Sequence, residues 1–166
     1  TTRRRNQHPS MTASRYGVSA VVQIKIKVNL DKLQAANRKT KRRVRKFVRA
    51  AVREGARDIR DEARRLIKSS PKGYRRYYYP GVGWTASSYP GAAPANQTGT
   101  LMASIQSRIK AKGIMSAEIG PSAHYGGYLE QGTSKMAARP YMKPALEAKR
   151  SAYVERVRDA VARGFA

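Results

Sequence analysis

Apolar and polar residues alternate from Val18 to Leu30, the first regular pattern in the chain. A period of two in β-branched residues is typical of a strand that buries one face. Lys25 and Lys27 occupy the opposite face, where they would discourage pairing at an exposed sheet edge. The segment therefore predicts a β-strand.

From Thr40 to about Ser69 the apolar residues recur at steps of three and four and form one stripe, which predicts a long helix. At a rise of 1.5 Å per residue this helix would be about 45 Å long, enough to cross a whole domain. Pro71 and Gly73 mark its end.

Residues 70–97 show neither the two-residue period of a strand nor the three-to-four-residue period of a helix. They are rich in Gly, Pro, Ser and Tyr, so they predict one long loop. Alternation returns on both sides of Lys112-Gly113, which predicts a β-hairpin. Pro144 is placed for the first turn of a terminal helix. This order favours an α+β fold in which a small antiparallel sheet, the N-terminal strand plus the hairpin, packs against the long helix and the C-terminal helix.

The 166 residues predict a basic flexible arm at 1–16 and a single domain at 17–166 that contains the long loop. The chain has no cysteine, which excludes disulfides and cysteine-ligated metals. No apolar run approaches the roughly 20 residues of a membrane span, so no membrane partner is expected.

Basic residues outnumber acidic ones by 35 to 10, a formal charge of +25. Such a field attracts phosphate backbones and acidic surfaces. Basic residues form a nearly continuous row on the predicted long helix, which we call the basic ridge. The ridge is a candidate contact for channel DNA or an acidic partner, and a solvated face is the alternative. The ridge comprises Arg42, Lys46, Arg49, Arg53, Arg57, Arg60 and Arg64.

No helix-turn-helix, zinc-finger or RNA-recognition pattern accompanies the ridge, so any contact with DNA is expected to be sequence-independent. The long loop interleaves cations with aromatic rings. This mixture suits a protein interface, packing of the loop on its own domain, or stacking on single-stranded bases, and we predict an interface. Its candidate residues are Tyr74, Arg75, Arg76, Tyr77, Tyr78, Tyr79 and Trp84.

Residues suited to catalysis are sparse. The two histidines are His8 and His124, and the sequence shows no nucleophile elbow, Gly-rich phosphate cradle or metal-spaced cluster. We therefore expect neither catalytic nor metal-binding residues, no cofactor and no enzyme activity.

Two ordered motifs carry a resemblance to a known family. The chain resembles the lambdoid "gene ten"-type neck family of tailed bacteriophages over roughly residues 18–150. The motif residues are Thr98, Gly99 and Leu101 before the hairpin, then Tyr128, Glu130, Gly132, Thr133, Arg139, Pro140, Tyr141 and Pro144.

Physical roles can be assigned to several of these residues. Gly132 suits a positive φ at the end of a short helical turn, and Thr133 can bond freed backbone groups. Arg139 is expected to pair with Glu130. A corner that stabilises the fold and a direct binding site are both possible for the motif.

The resemblance implies a structural virion protein of the neck between head and tail, which assembles in the host cytoplasm. It implies a homo-oligomeric ring around genomic DNA, with portal-side adaptor or head-closure proteins and tail tube proteins as partners. A tail terminator that caps the tube is one alternative. A sequence-independent nucleic-acid-binding protein is another.

Overall fold

The structure is a computed structural model that describes residues 24–28, 37–81, 83–110 and 115–166. The described chain contains four helices and five strands, and all strand pairings are antiparallel, which confirms the predicted α+β fold class. The elements are β1 (Ile24–Val28), α1 (Arg38–Lys68), β2 (Lys72–Tyr79), β3 (Gly83–Ser88), α2 (Thr100–Ser104), β4 (Ile105–Lys110), β5 (Met115–Pro121), α3 (Gly126–Gln131) and α4 (Met142–Phe165).

The larger sheet has the antiparallel order β1-β5-β4, with β5 in the centre. Ile26 pairs with Ala117, which pairs on its other side with Ile109. The predicted sheet of an N-terminal strand and a hairpin is therefore confirmed. The predicted strand residues 18–23 and 29–30, the turn at Lys112-Gly113 and the arm at 1–16 lie outside the described residues.

Helix α1 begins two residues before the predicted helix and ends one residue earlier. Asn37 caps its N-terminus, where Asn37 Oδ1 accepts a hydrogen bond from the Lys39 N–H at 3.0 Å. The apolar stripe is buried, with Val48, Val52 and Ile59 fully inaccessible to solvent. Within the described ranges, no helix is long and apolar enough to span a membrane.

Helices α1 and α4 run antiparallel. Gly164 near the end of α4 packs against Val44 near the start of α1, and Gly55 packs against the ring of Tyr153. A Cβ atom on Gly55 would lie 2.2 Å from Tyr153 Cδ2, so only glycine allows this approach. Of the two helices, α1 packs on the larger sheet, where it contacts β4 and β5.

The prediction of one long loop at 70–97 is wrong. Strands β2 and β3 form an antiparallel hairpin there, and Gly81 and Gly83 supply the positive φ values at its tip. Tyrosine and tryptophan favour extended backbone, and Pro-Gly favours a turn. The adjacent arginines and tyrosines of residues 74–79 do not alternate between apolar and polar types, so the period of a strand is not visible in the sequence. The described segment between 89 and 99 is irregular.

Candidate functional site

The basic ridge divides into two parts with different electrostatics. In the C-terminal part, Arg60 Nε lies 2.8 Å from Asp61 Oδ1, and Arg64 Nη1 lies 4.0 Å from the same oxygen. The hydrogen bond from Arg60, followed by the nearby positive charges, lowers the pKa of Asp61. Arg64 Nη2 also donates to the Ile105 carbonyl at 2.8 Å. Arg60 and Arg64 are thus engaged by the protein itself, while Arg57 is exposed.

The N-terminal part of the ridge lines an open groove of about 610 Å³ beside the start of β5. Among the described residues, no acidic side chain lines it, and its cations form no ion pairs. We call it the α1 basic groove. It is lined by the exposed cations Arg42, Arg45, Lys46, Arg49 and Arg53, together with Ala50 and Met115.

Arg45 was missed by the sequence prediction. It lies three residues after Arg42 and four before Arg49, and this spacing places all three on the same side of the helix. The same spacing could have identified it. Met115 could not have been found in this way, because its position depends on how β5 packs against α1.

Charge is distributed unevenly along α1. Residues 38–53 carry nine basic side chains and no acid. Cations in the first turn of a helix oppose its macrodipole, by about 0.3–1 kcal/mol each at exposed positions. The basic residues at the start of α1 therefore do not serve helix stability.

The acids of the C-terminal half of α1 are paired. Arg156 of α4 binds Asp58, with Nη1–Oδ2 at 2.5 Å, and lies 3.8 Å from a carboxylate oxygen of Glu54. Glu62 binds Arg65 and Lys149, and the Arg65 hydrogen bond is the main reason that its pKa is lowered. These ion pairs tie α1 to α4, so that half of α1 is stabilised and close to neutral.

The predicted interface loop lies on the β2–β3 hairpin. Tyr78 and Trp84 are cross-strand partners whose rings meet edge to face, with centroids 5.9 Å apart. They are 65% and 72% exposed, which is unusual for large aromatic side chains. The other five predicted residues, Tyr74, Arg75, Arg76, Tyr77 and Tyr79, lie along β2.

Glu130 holds the corner between α3 and α4. Its buried carboxylate accepts hydrogen bonds from the backbone N–H groups of Tyr141, Met142 and Lys143 at 2.8, 2.9 and 2.9 Å. The predicted pair with Arg139 is wrong, because the free N–H groups at the start of α4 satisfy this carboxylate. Arg139 Nη1 instead contacts Met136 Sδ at 3.8 Å.

Other motif residues also make internal contacts. Tyr141 is fully buried and donates from its hydroxyl to the Gly126 carbonyl at 3.2 Å, and burial raises the pKa of this phenol well above its ordinary value. Gly132 has the predicted positive φ, +78°, and its N–H donates to the Tyr128 carbonyl at 2.8 Å. Thr133 Oγ1 accepts from the Lys135 N–H at 3.3 Å.

The two motifs meet at a second cavity of about 870 Å³. The residues that line it include Thr98, Gly99 and Leu101 from the first motif, and Leu129 and Arg139 from the segment of the second motif. Pro144 lies in the first turn of α4, as predicted, and Pro140 precedes that helix. The two motifs thus join the β4–β5 hairpin to α4 through contacts within the domain.

Of the two histidines, His124 lies within the described residues. His124 stacks edge to face against Tyr125, with ring centroids 5.6 Å apart. Over residues 24–28, 37–81, 83–110 and 115–166, no group of three or more His, Cys, Asp or Glu side chains could hold a metal ion. His8 lies outside these ranges.

The fold and the site together describe an α+β domain with an open basic groove on one element and an exposed aromatic pair on another. Residues 31–132, more than half of the chain, match the family described as "Bacteriophage HK97-gp10, putative tail-component". The chain belongs to this family of phage tail components, which confirms the resemblance found in the sequence.

The match contains α1, both hairpins and the motif as far as Gly132, whereas Arg139–Pro144 lie beyond it. No curated protein matches the chain. No solved structure matches it either.

Proposed function

We propose that this protein is a structural component of the phage neck, where copies of it form a ring around the DNA channel and join the head to the tail. Membership of the tail-component family, through residues 31–132, is the observation that carries the proposal. That membership supports a location in the virion. The neck is our proposed position there, and assembly would take place in the host cytoplasm.

The distribution of surface features supports a ring. A cyclic assembly with a heterologous interface joins one surface of each subunit to a different surface of the next. The Tyr78–Trp84 pair offers an aromatic contact of the kind that dominates binding energy at interfaces. The α1 basic groove lies on another element and is therefore available for a different partner.

Protein partners on the two sides of the ring would be portal-side adaptor or head-closure proteins and tail tube proteins. Genomic DNA would pass through the lumen. Such a role requires neither catalysis nor a cofactor, in agreement with the sparse inventory of reactive residues in the sequence.

Native mass spectrometry and electron microscopy of the purified protein test the ring. We expect closed rings of one copy number, and quantitative mass spectrometry of purified particles should find the protein at that same copy number. A protein that stays monomeric at all concentrations and is absent from particles would contradict the proposal.

A tail terminator is the second candidate, favoured by the description of the family as a tail component. Particles made without the protein distinguish the two roles. Loss of a terminator should give tubes of uncontrolled length, whereas loss of a joining protein should give tails of normal length that do not attach to heads.

A sequence-independent nucleic-acid-binding protein is the third candidate, supported by the charge of +25. A monomer that binds DNA with strong salt dependence, and that purified particles lack, would favour this function over both structural roles.

A further inference from the structure

We propose that the α1 basic groove binds the phosphate backbone of duplex DNA without reading its bases. That this contact takes place in a DNA channel rests on the proposed function. Phosphate binding itself depends only on the groove. The sequence alone presented seven ridge residues as equivalent. The structure distinguishes the open groove from Arg60 and Arg64, which the protein's own oxygen atoms engage.

The length of the cation row matches the phosphates on one side of a duplex. Arg42, Lys46, Arg49 and Arg53 follow one another at steps of four, three and four residues. At 1.5 Å per residue they span about 16 Å along the helix axis. Duplex DNA carries a phosphate about every 1.7 Å of its axis with both strands counted, so roughly ten phosphates lie within this span and roughly five of them on the side that faces the protein. The groove offers five cations.

The composition of the groove favours phosphate over an acidic protein surface. Four of its five cations are arginines, whose planar guanidinium groups pair with phosphate oxygens in a bidentate manner. Among the described residues, its apolar lining is confined to Ala50 and Met115, whereas protein interfaces rely on large buried anchors. The aromatic anchors lie on the hairpin instead.

The groove also lacks a varied set of groups for reading bases. Among the described residues, the polar side chains that line it are all cations, and no Asn or Gln is present to read adenine. Arginine can read guanine, but the sequence shows no helix-turn-helix or zinc-finger pattern that would place α1 in a major groove. Contact with the backbone alone is therefore expected, which suits DNA that must slide past.

Counterion release makes the proposal quantitative. A protein that neutralises five phosphates of B-DNA should show a slope of about −4.5 for log K against log salt concentration. Each arginine removed from the groove should reduce the magnitude of this slope by about 0.9. Cations elsewhere on the surface should contribute much less.

The test is fluorescence anisotropy with the full chain and a labelled 30-base-pair duplex over a series of NaCl concentrations. The groove variant is R42Q/R49Q/R53Q. The matched control is K143Q/R150Q/R158Q, which removes the same charge from exposed positions on α4. Circular dichroism checks that both variants keep their helical content, and the single variant Arg49→Gln provides a milder change.

The groove variant should reduce the magnitude of the slope by about 2.7, and Arg49→Gln by about 0.9, while the control changes it by less than about 1. Equal slopes for the two triple variants would overturn the proposal, because binding would then follow total charge or the N-terminal residues. Equal competition by polyglutamate and by unlabelled duplex would overturn it in favour of an acidic protein partner.

Native mass spectrometry of the same variants separates this inference from the proposed function. Rings that form in R42Q/R49Q/R53Q with a reduced salt slope support both. A reduced slope in a protein that never forms rings supports the groove and contradicts the ring.

Discussion

At the scale of single residues, a buried carboxylate determines how the last helix begins. Glu130 accepts three backbone hydrogen bonds from residues 141–143, and α4 has no side-chain cap from its own N-cap residue, Tyr141. A negative charge at this position also interacts favourably with the helix macrodipole. Glu130 therefore couples the orientation of α3 to that of α4.

Replacing Glu130 by glutamine should lower the free energy of unfolding by about 2–3 kcal/mol, because charge-assisted hydrogen bonds are lost and an amide donor meets the N–H groups. Urea unfolding measures this loss. Glu147→Gln, at an exposed position on the same helix, is the control and should change stability by less than about 0.5 kcal/mol. Equal losses in both variants would contradict the capping role.

Two buried tyrosines should respond differently to loss of the hydroxyl. Tyr141→Phe removes the bond to the Gly126 carbonyl and should cost about 1 kcal/mol. Tyr153 Oη has no hydrogen-bond partner among the described residues, so Tyr153→Phe should be neutral or stabilising. Thermal unfolding of the two variants at pH 7 makes the comparison, and a larger loss in Tyr153→Phe would contradict it.

Alkaline pH provides a second readout on Tyr153. Burial raises its pKa from the ordinary 10 to about 12. The neutral phenol is thus favoured in the folded state, and its contribution to stability is complete below pH 10 and is lost as the pH rises towards 12. Tyr153→Phe should therefore lose less stability over this range than the unmodified protein.

At the scale of elements, the close approach of α1 and α4 depends on Gly55. Gly55→Ala gains about 1 kcal/mol of helix propensity, but the new Cβ would overlap the Tyr153 ring. Overpacking of this kind costs about 1–3 kcal/mol and should outweigh the gain. Urea unfolding should show a net loss of stability that largely disappears in a Tyr153→Leu background. A more stable Gly55→Ala protein would contradict this packing.

The β2–β3 hairpin is the element most suited to contact a neighbouring protein. Trp84→Ser should change the free energy of unfolding by less than about 1 kcal/mol, because the side chain is mostly exposed. Ring formation, followed by native mass spectrometry, should nevertheless be impaired. Tyr128→Ser, at an exposed aromatic outside the hairpin, is the control and should assemble normally. Normal rings from Trp84→Ser would remove the hairpin from the interface.

Sequence periodicity predicted α1, β4 and β5 because each buries one face, and Pro144 marked the start of α4. Periodicity failed for β2 and β3, where Tyr78 and Trp84 are both exposed and the burial along β3 does not alternate. It also failed for Glu130, since its partners are main-chain N–H groups that no residue type reveals. The division of the ridge depends on the Ile105 carbonyl, which reaches Arg64 only in the folded chain.

At the scale of the whole molecule, the charge of +25 is organised rather than uniform. The acids on α1 lie in its C-terminal half, where they pair within α1 and with α4, and five cations that form no ion pair with described residues line the α1 basic groove. In a ring, many copies of this groove would produce a large cationic field on whichever surface they face. The orientation of α1 in the particle is therefore the central question.

A cryo-electron-microscopy reconstruction of the head–tail junction of intact particles answers that question most directly. We expect a ring of this protein in which Arg42, Arg49 and Arg53 face the central channel and the β2–β3 hairpin contacts a neighbouring subunit. A junction without this protein would contradict the proposed ring, and a ring in which the α1 basic groove faces away from the channel would contradict the proposed contact with DNA.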